Sequence, residues 1–427
     1  MRYFYLMLAL FMLMGCGDSA PSTPPVQAEP EATGYQFSQS SMSRELHPGV
    51  SSADFQQLID DNNDFALQLY HWQAADENNL FFAPISVSVA MAMTYAGARA
   101  QTATEMAAAL NFQLPDEQLH AAFNQWLLHV DGVANGEHPM TLMMTQASWL
   151  EQTFEVLPEY LDQLAVHYDA GVYQVDFRQQ PEQARVTMNR WVEQQTDGKL
   201  SELLAAGSVD TDTRLMLLNT MLFQANWALP FEPEKTRQAE FHQLNGHSEQ
   251  VSMMQQDAVQ TSYTEGAGYQ AMRLPYANQQ FSMLLLLPAE GNFTAFEAEL
   301  DLTRLQHIRQ QLTAHLVDVR MPSFQLEHEV NLTSALQDFG MHEAFQAGMA
   351  DFSGIDGSQT LLIDSAVHQA VIDVDEYGTE AAAATAVHMG VTNAPPWAEL
   401  TINRPFIFLI EEHETGSILF MGRVLQP

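Results

Sequence analysis

Two apolar runs constrain the fold of this chain more than any other feature. Leu215 to Trp227 and Phe281-Ser282-Met283-Leu284-Leu285-Leu286-Leu287-Pro288 contain no charged residue. A strand covered on both faces reads as a near-continuous apolar run, whereas a half-exposed strand alternates. Both are expected as buried strands, the first of them central in its sheet. Around them helical spacing dominates: Phe55, Leu58, Ile59, Phe65, Leu69 and Tyr70 predict a first amphipathic helix. Asn79 to Met93 reads as a short apolar strand running into a buried helix, with Pro84 near its first turn. Thr102-Ala103-Thr104-Glu105 has capping-box spacing and predicts a helix over 105–110. Leu119, Phe123, Trp126, Leu127 and Val130 mark another helix, as do Pro158 to Tyr168 and the stretch through Asn189 to Val192. Met140 to Trp149, Val172 to Phe177 and Val317 to Phe324 predict further strands. Leu400 to Ile410 and Ser417 to Leu425 predict two more, joined by a hairpin turn. No repeat or linker interrupts Ser51 to Pro427, so a single α+β domain over 51–427 is expected.

The N-terminal end is of another kind. Arg2 precedes the apolar run Tyr3 to Leu13, which has the dimensions of a signal-peptide core and is short for a membrane span. Leu13-Met14-Gly15-Cys16 resembles the lipobox of bacterial lipoproteins, which implies a signal over 1–15 and a lipidated Cys16. Gly17 after that cysteine implies the outer membrane, facing periplasm or exterior. Cys16 is the chain's only cysteine, so intrachain disulfides and thiolate zinc sites are excluded. Residues 16–50, poor in large apolar groups and rich in proline, serine and glutamate, are expected as a flexible linker of roughly 30 Å reach. A formal charge of -37 repels nucleic acid and offers no stripe to a heparin-like polyanion.

Catalytic signatures are missing. The sequence contains no Gly-x-Ser-x-Gly elbow, His-Glu-x-x-His, P-loop or dinucleotide fingerprint, so no enzyme and no cofactor are expected. What stands out instead is Glu376-Tyr377-Gly378-Thr379-Glu380-Ala381-Ala382-Ala383-Ala384-Thr385-Ala386-Val387. Four consecutive alanines favour a helix on intrinsic propensity. Gly378 before the run, and Gly390 with Asn393-Ala394-Pro395-Pro396 after it, favour a loop of small uncharged residues.

Several separated stretches together resemble the serpin family. Asn79 to Phe112 is similar to its buried strand and helix, and Asn189-Arg190-Trp191-Val192 with Thr196-Asp197-Gly198-Lys199 to its second helical signature. Leu217-Leu218-Asn219 with Trp227 is similar to its central strand. Asn403-Arg404-Pro405-Phe406-Ile407-Phe408-Leu409-Ile410 and Leu419-Phe420-Met421-Gly422-Arg423-Val424 match its C-terminal signature. The resemblance implies one domain of about nine helices and three β-sheets that displays a reactive-centre loop as protease bait. Cleavage of the loop forms an acyl-enzyme, and the loop's N-terminal side then enters the main sheet with the protease attached; this is a known case of strand addition and of released strain.

The loop suits that task physically. With a strand's period of two, Thr379, Ala381, Ala383, Thr385 and Val387 would face one side and Glu380, Ala382, Ala384 and Ala386 the other. The first set is small or β-branched and uncharged. Gly378 gives the hinge freedom, and no proline interrupts the ladder from Gly378 to Asn393. About ten inserted residues at ~0.5 to 1.5 kcal/mol per hydrogen bond supply on the order of 10 kcal/mol. Loss of one oxyanion-hole donor slows a protease ~100- to 1000-fold, so this suffices to disarm one.

By the family's hinge length, seventeen residues counted from Glu376 place the scissile bond between Thr392 and Asn393, with Val391 as the alternative. Either side chain suits elastase-like or subtilisin-like serine proteases, and Val391-Thr392 also suits cysteine proteases that read an apolar residue before the cleaved one. The resemblance further places Ser86, Asn219 and His368 in the polar shutter cluster under the main sheet, and Trp227 in the breach where the hinge enters. Two residues depart from the pattern: Ala83 and Ser323 stand where many members carry a serine and a lysine, the latter pairing with the hinge glutamate, here Glu376. The expected function is that of a monomeric inhibitory serpin, and the alternative is a non-inhibitory serpin acting as a surface binding module.

Overall fold

The computed structural model describes residues 34–134, 140–200, 202–379 and 395–427. Cys16 and the loop residues Glu380, Ala381, Ala382, Ala383, Ala384, Thr385, Val391, Thr392 and Asn393 lie outside the described residues. In chain order the elements begin with β1 Gln36–Ser38, α1 Ser52–Gln73, β2 Leu80–Phe82, α2 Pro84–Tyr95, α3 Ala100–Ala109 and α4 Asp116–Ala134. There follow β3 Thr141–Glu151, α5 Pro158–Tyr168, β4 Val172–Val175, α6 Pro181–Gln195, β5 Leu215–Asn226, β6 Arg237–His242, β7 Ser248–Gly266 and β8 Tyr269–Pro275. Next come β9 Phe281–Pro288, α7 Phe293–Ala298, α8 Leu302–Gln311, β10 Thr313–Pro322, β11 Phe324–Asn331, α9 Leu332–Asp338 and α10 Ser353–Asp356. The chain closes with β12 Ser365–Val374, β13 Gly378–Thr379, β14 Trp397–Thr401, β15 Phe406–Glu412 and β16 Ile418–Val424.

The strands form a seven-stranded main sheet in the order β1-β4-β3-β5-β13-β12-β11 and a nine-stranded network in the order β14-β10-β7-β8-β9-β15-β16-β2, with β6 on β7. β7 joins two of the three expected sheets into one network, because it pairs with β6 and β10 and then, through Tyr263–Gly266, with β8. The apolar character of β5 has a direct cause in burial on both faces. Leu215, Leu217, Met221 and Phe223 enter the main core beside α2, while Met216 and Leu218 enter a second cluster with Trp149 and with Met188 and Trp191 of α6.

Three expectations are corrected. The linker assigned to 16–50 is too long, since residues 34–50 belong to the folded body: β1 pairs antiparallel with β4, and Glu45 N donates to Val166 O at 3.0 Å. The capping box at Thr102 is unused. The helix starts at Ala100, five residues before the expected 105, the Thr102 hydroxyl accepts from Asp351 N, and the Glu105 carboxylate accepts from His342 N and Glu343 N. Leu400 to Ile410 is two strands instead of one: Pro405 has no N–H for the ladder, Ile402 N donates to Arg320 O, and Asn403 O accepts from His242 N.

Candidate functional site

The main sheet has a slot at one end. β5 and β12 pair directly and in parallel from Met216↔Ser365 to Leu222↔Val371. Beyond that ladder they part, and β13 sits between them. Thr379 pairs with Val374 on one side, while Gly378 and Thr379 pair with Asn226 and Ala225 on the other. Gly378 and Thr379 thus form a short strand between β5 and β12. Gly378 is required here by close approach, because a Cβ on it would lie 2.2 Å from Ala225 O.

Aromatic residues floor the slot. Thr379 is fully buried, and its Oγ1 lies 2.8 Å from the Tyr276 hydroxyl. Tyr276 stacks on Trp227 with ring centroids 4.6 Å apart and meets Phe223 edge-on at 4.9 Å. Burial pushes the Tyr276 phenol up, which keeps it neutral. Trp227 in turn fastens the hinge backbone: its N–H donates to Tyr377 O at 2.9 Å and its Nε1 to Asp375 O at 3.0 Å. Phe231 N donates to Glu376 O at 2.7 Å. The Glu376 carboxylate accepts from the Thr236 hydroxyl at 2.6 Å, which takes the place of the absent lysine; Ser323 instead donates its own N–H to Ser252 O. Tyr276 and Thr236 were not singled out by sequence reasoning, since neither carries a motif.

Lower on the same two strands a polar cluster interrupts the core. Asn219 and His368 are register partners on β5 and β12, and both face α2. Asn219 Nδ2 donates to Ser86 Oγ at 2.6 Å and to Ser86 O at 3.1 Å. His368 Nε2 accepts from Ala83 N at 2.9 Å, so its Nδ1 holds the proton and donates to Asn219 Oδ1 at 2.5 Å. Burial, reinforced by nearby His328, lowers His368 to about 3, so the ring is neutral. This network bridges β5 and β12 and ties them to the N-terminal turn of α2. The structure thus brings Ser86, Asn219 and His368 together and gathers Glu376, Gly378, Thr379 and Trp227 at the slot.

Among the described residues His129, Glu412 and Glu414 could converge on a cation, with ligand atoms within 4.8 Å of one another. The Glu412 carboxylate is already engaged, however, accepting from Glu414 N, Thr415 N and the Thr415 hydroxyl in the turn between β15 and β16.

A family model described as Serpin (serine protease inhibitor) matches residues 60–427. The chain belongs to the serpin family. An uncharacterized serpin-like protein of Thermococcus kodakarensis is 37% identical over 369 residues, covering 86% of this chain and 84% of its own. The leukocyte elastase inhibitor of Homo sapiens is 35% identical over 391 residues, covering 87% of this chain and all of its own. Among solved structures, the thermophilic serpin tengpin in its native state matches with a TM-score of 0.79 at 25% identity, over 91% of this chain and 97% of its own. Uncleaved ovalbumin matches with a TM-score of 0.78 at 27% identity, over 87% of this chain. Serpins are in general protease inhibitors rather than catalysts.

Proposed function

We propose that this serpin is inhibitory: a single-use trap for an elastase-like or subtilisin-like serine protease, and for cysteine proteases that accept Val391-Thr392, cut between Thr392 and Asn393. The observation that carries the reading is the seating of Thr379 between β5 and β12, directly above a ladder that only a further inserted strand would replace. Residues Glu380 to Thr385 follow as small, mostly uncharged side chains suited to that slot. Parallel pairing of β5 with β12 would give way to two antiparallel ladders, which are more stable per residue. Identity to leukocyte elastase inhibitors supports the target class. The cell holds the inhibitor through lipidated Cys16 at the outer membrane. Mixing the protein with elastase or subtilisin is expected to give a complex that survives denaturing electrophoresis. Cleaved inhibitor and free enzyme in every pairing would refute inhibition.

A further inference from the structure

The segment of residues 34–50 precedes the stretch matched by the family model and forms a strap on the edge of the main sheet. Its fastening is specific. Gly34, at φ +77°, lies against α6 so closely that a Cβ would be 3.0 Å from the Thr187 hydroxyl. Tyr35 sets its ring edge-on to Trp149 at 5.5 Å and to Tyr173 at 5.3 Å. Further along, Arg44 Nε donates to Asn124 Oδ1 at 2.8 Å, and Asn124 Nδ2 donates to Glu45 O at 2.6 Å.

The register of the strands shows at which end the strap begins. β4 and β3 run in parallel toward Val175↔Glu151, and β3 meets β5 antiparallel at Leu150↔Leu215. Glu151 N donates to Arg214 O at 2.9 Å. β1 enters with Gln36↔Gln174. Val175, Glu151 and Arg214 thus lie across one end of the sheet, the end where the strap starts. The hinge at Gly378↔Asn226 lies at the opposite end, about 40 Å away for twelve residues at ~3.3 Å each.

Continuing the hinge register down β5 sets Leu215 opposite Met389 and Asp212 opposite Thr392. The acyl end of an inserted loop thus arrives beside Arg214, four strand positions from β1, or about 19 Å at ~4.8 Å per strand. From this we infer that the strap fixes Gly34, the residue to which the N-terminal segment is joined, at the pole that receives the trapped protease. The hinge pairing Gly378↔Asn226 lies at the pole remote from Gly34, and insertion would carry the protease to the pole beside Gly34. The inference rests on the inhibitory reading above.

The test uses the full chain carrying Cys16→Ser, with one cysteine introduced either by Thr33→Cys, next to the strap, or by Glu234→Cys, near the hinge. Each is labelled with a donor and reacted with acceptor-labelled elastase or subtilisin. In the covalent complex, energy transfer from position 33 is expected to exceed that from position 234 severalfold. A covalent complex in which position 234 transfers as well as or better than position 33 overturns the inference while leaving inhibition intact. No covalent complex from either labelled chain, with the unlabelled chain also failing, overturns the inhibitory reading and this inference with it.

Discussion

Replacing Thr379 by arginine tests the slot where the geometry is tightest. The Thr379 side chain is fully buried, its hydroxyl is satisfied by Tyr276, and both sides of its backbone are paired. Tyr276 meets it, backed by Trp227 and Phe223, and the neighbouring Asp375 carboxylate is already engaged by Tyr377 N and Gly378 N. An arginine here is either buried without a counter-ion, at a cost of several kcal/mol, or keeps the hinge out of the sheet. A penalty of about 4 kcal/mol on the insertion step slows it roughly 1000-fold, since each 1.36 kcal/mol is tenfold in rate. Hydrolysis of the acyl-enzyme then outruns insertion, and the inhibitor becomes a substrate. The assay titrates a fixed amount of elastase or subtilisin and reads the ratio of inhibitor to enzyme at complete inhibition, with denaturing electrophoresis of the products. The T379R ratio should rise many-fold, with cleaved inhibitor replacing complex. Thr379→Val, of similar size and uncharged, should keep most of the complex. An unchanged ratio for T379R would refute insertion through this slot.

Other outcomes follow from the same contacts. Tyr276→Phe strands the buried Thr379 hydroxyl at a cost of ~1–3 kcal/mol, so the hinge should leave the slot more often and be cut faster there by a non-target protease; equal cutting rates would contradict the latch. His368, lowered to about 3, and His120, lowered to about 4 chiefly by burial, are neutral when folded but protonate below about 6.5 when unfolded. Their contribution is therefore complete above that pH and is lost as pH falls toward those values, by about 1.4 kcal/mol per unit for each histidine. The urea midpoint should drop between pH 6.5 and 5, less steeply in His368→Gln, and identical slopes would exclude His368 as a source. Cys16→Ser should move the protein from the membrane fraction to the soluble fraction of the envelope, and an unchanged distribution would remove the lipid anchor.

The larger elements were legible because burial writes itself into composition. The apolar runs at Leu215 and Phe281 became β5 and β9, and Pro158 to Tyr168 became α5 with Pro158 in its first turn. The meeting of Ser86, Asn219 and His368 could be anticipated only through the family resemblance, since no spacing in one chain reports a contact between residues 149 positions apart. Tyr276 escaped notice because a tyrosine shortly before an apolar strand looks like ordinary core until its hydroxyl is seen to meet Thr379. The strap was missed because low overall hydrophobicity outweighed a local signal. Tyr35 and Phe37, two apart in Tyr35-Gln36-Phe37, carry the alternation of a short edge strand. The capping box misled because Thr102 and Glu105 found tertiary partners, at Asp351 and at His342 with Glu343, instead of local ones.

The central claim, covalent trapping by loop insertion, is tested most directly by the intact mass of the denatured product formed with elastase or subtilisin. The account predicts a single species whose mass is the protease plus the inhibitor chain ending at Thr392, or at Val391 in the alternative register, less one water for the ester, together with a released peptide running from the next residue to Pro427. Free protease beside two unmodified inhibitor fragments, with no ester-linked species at any ratio of the two proteins, would contradict it.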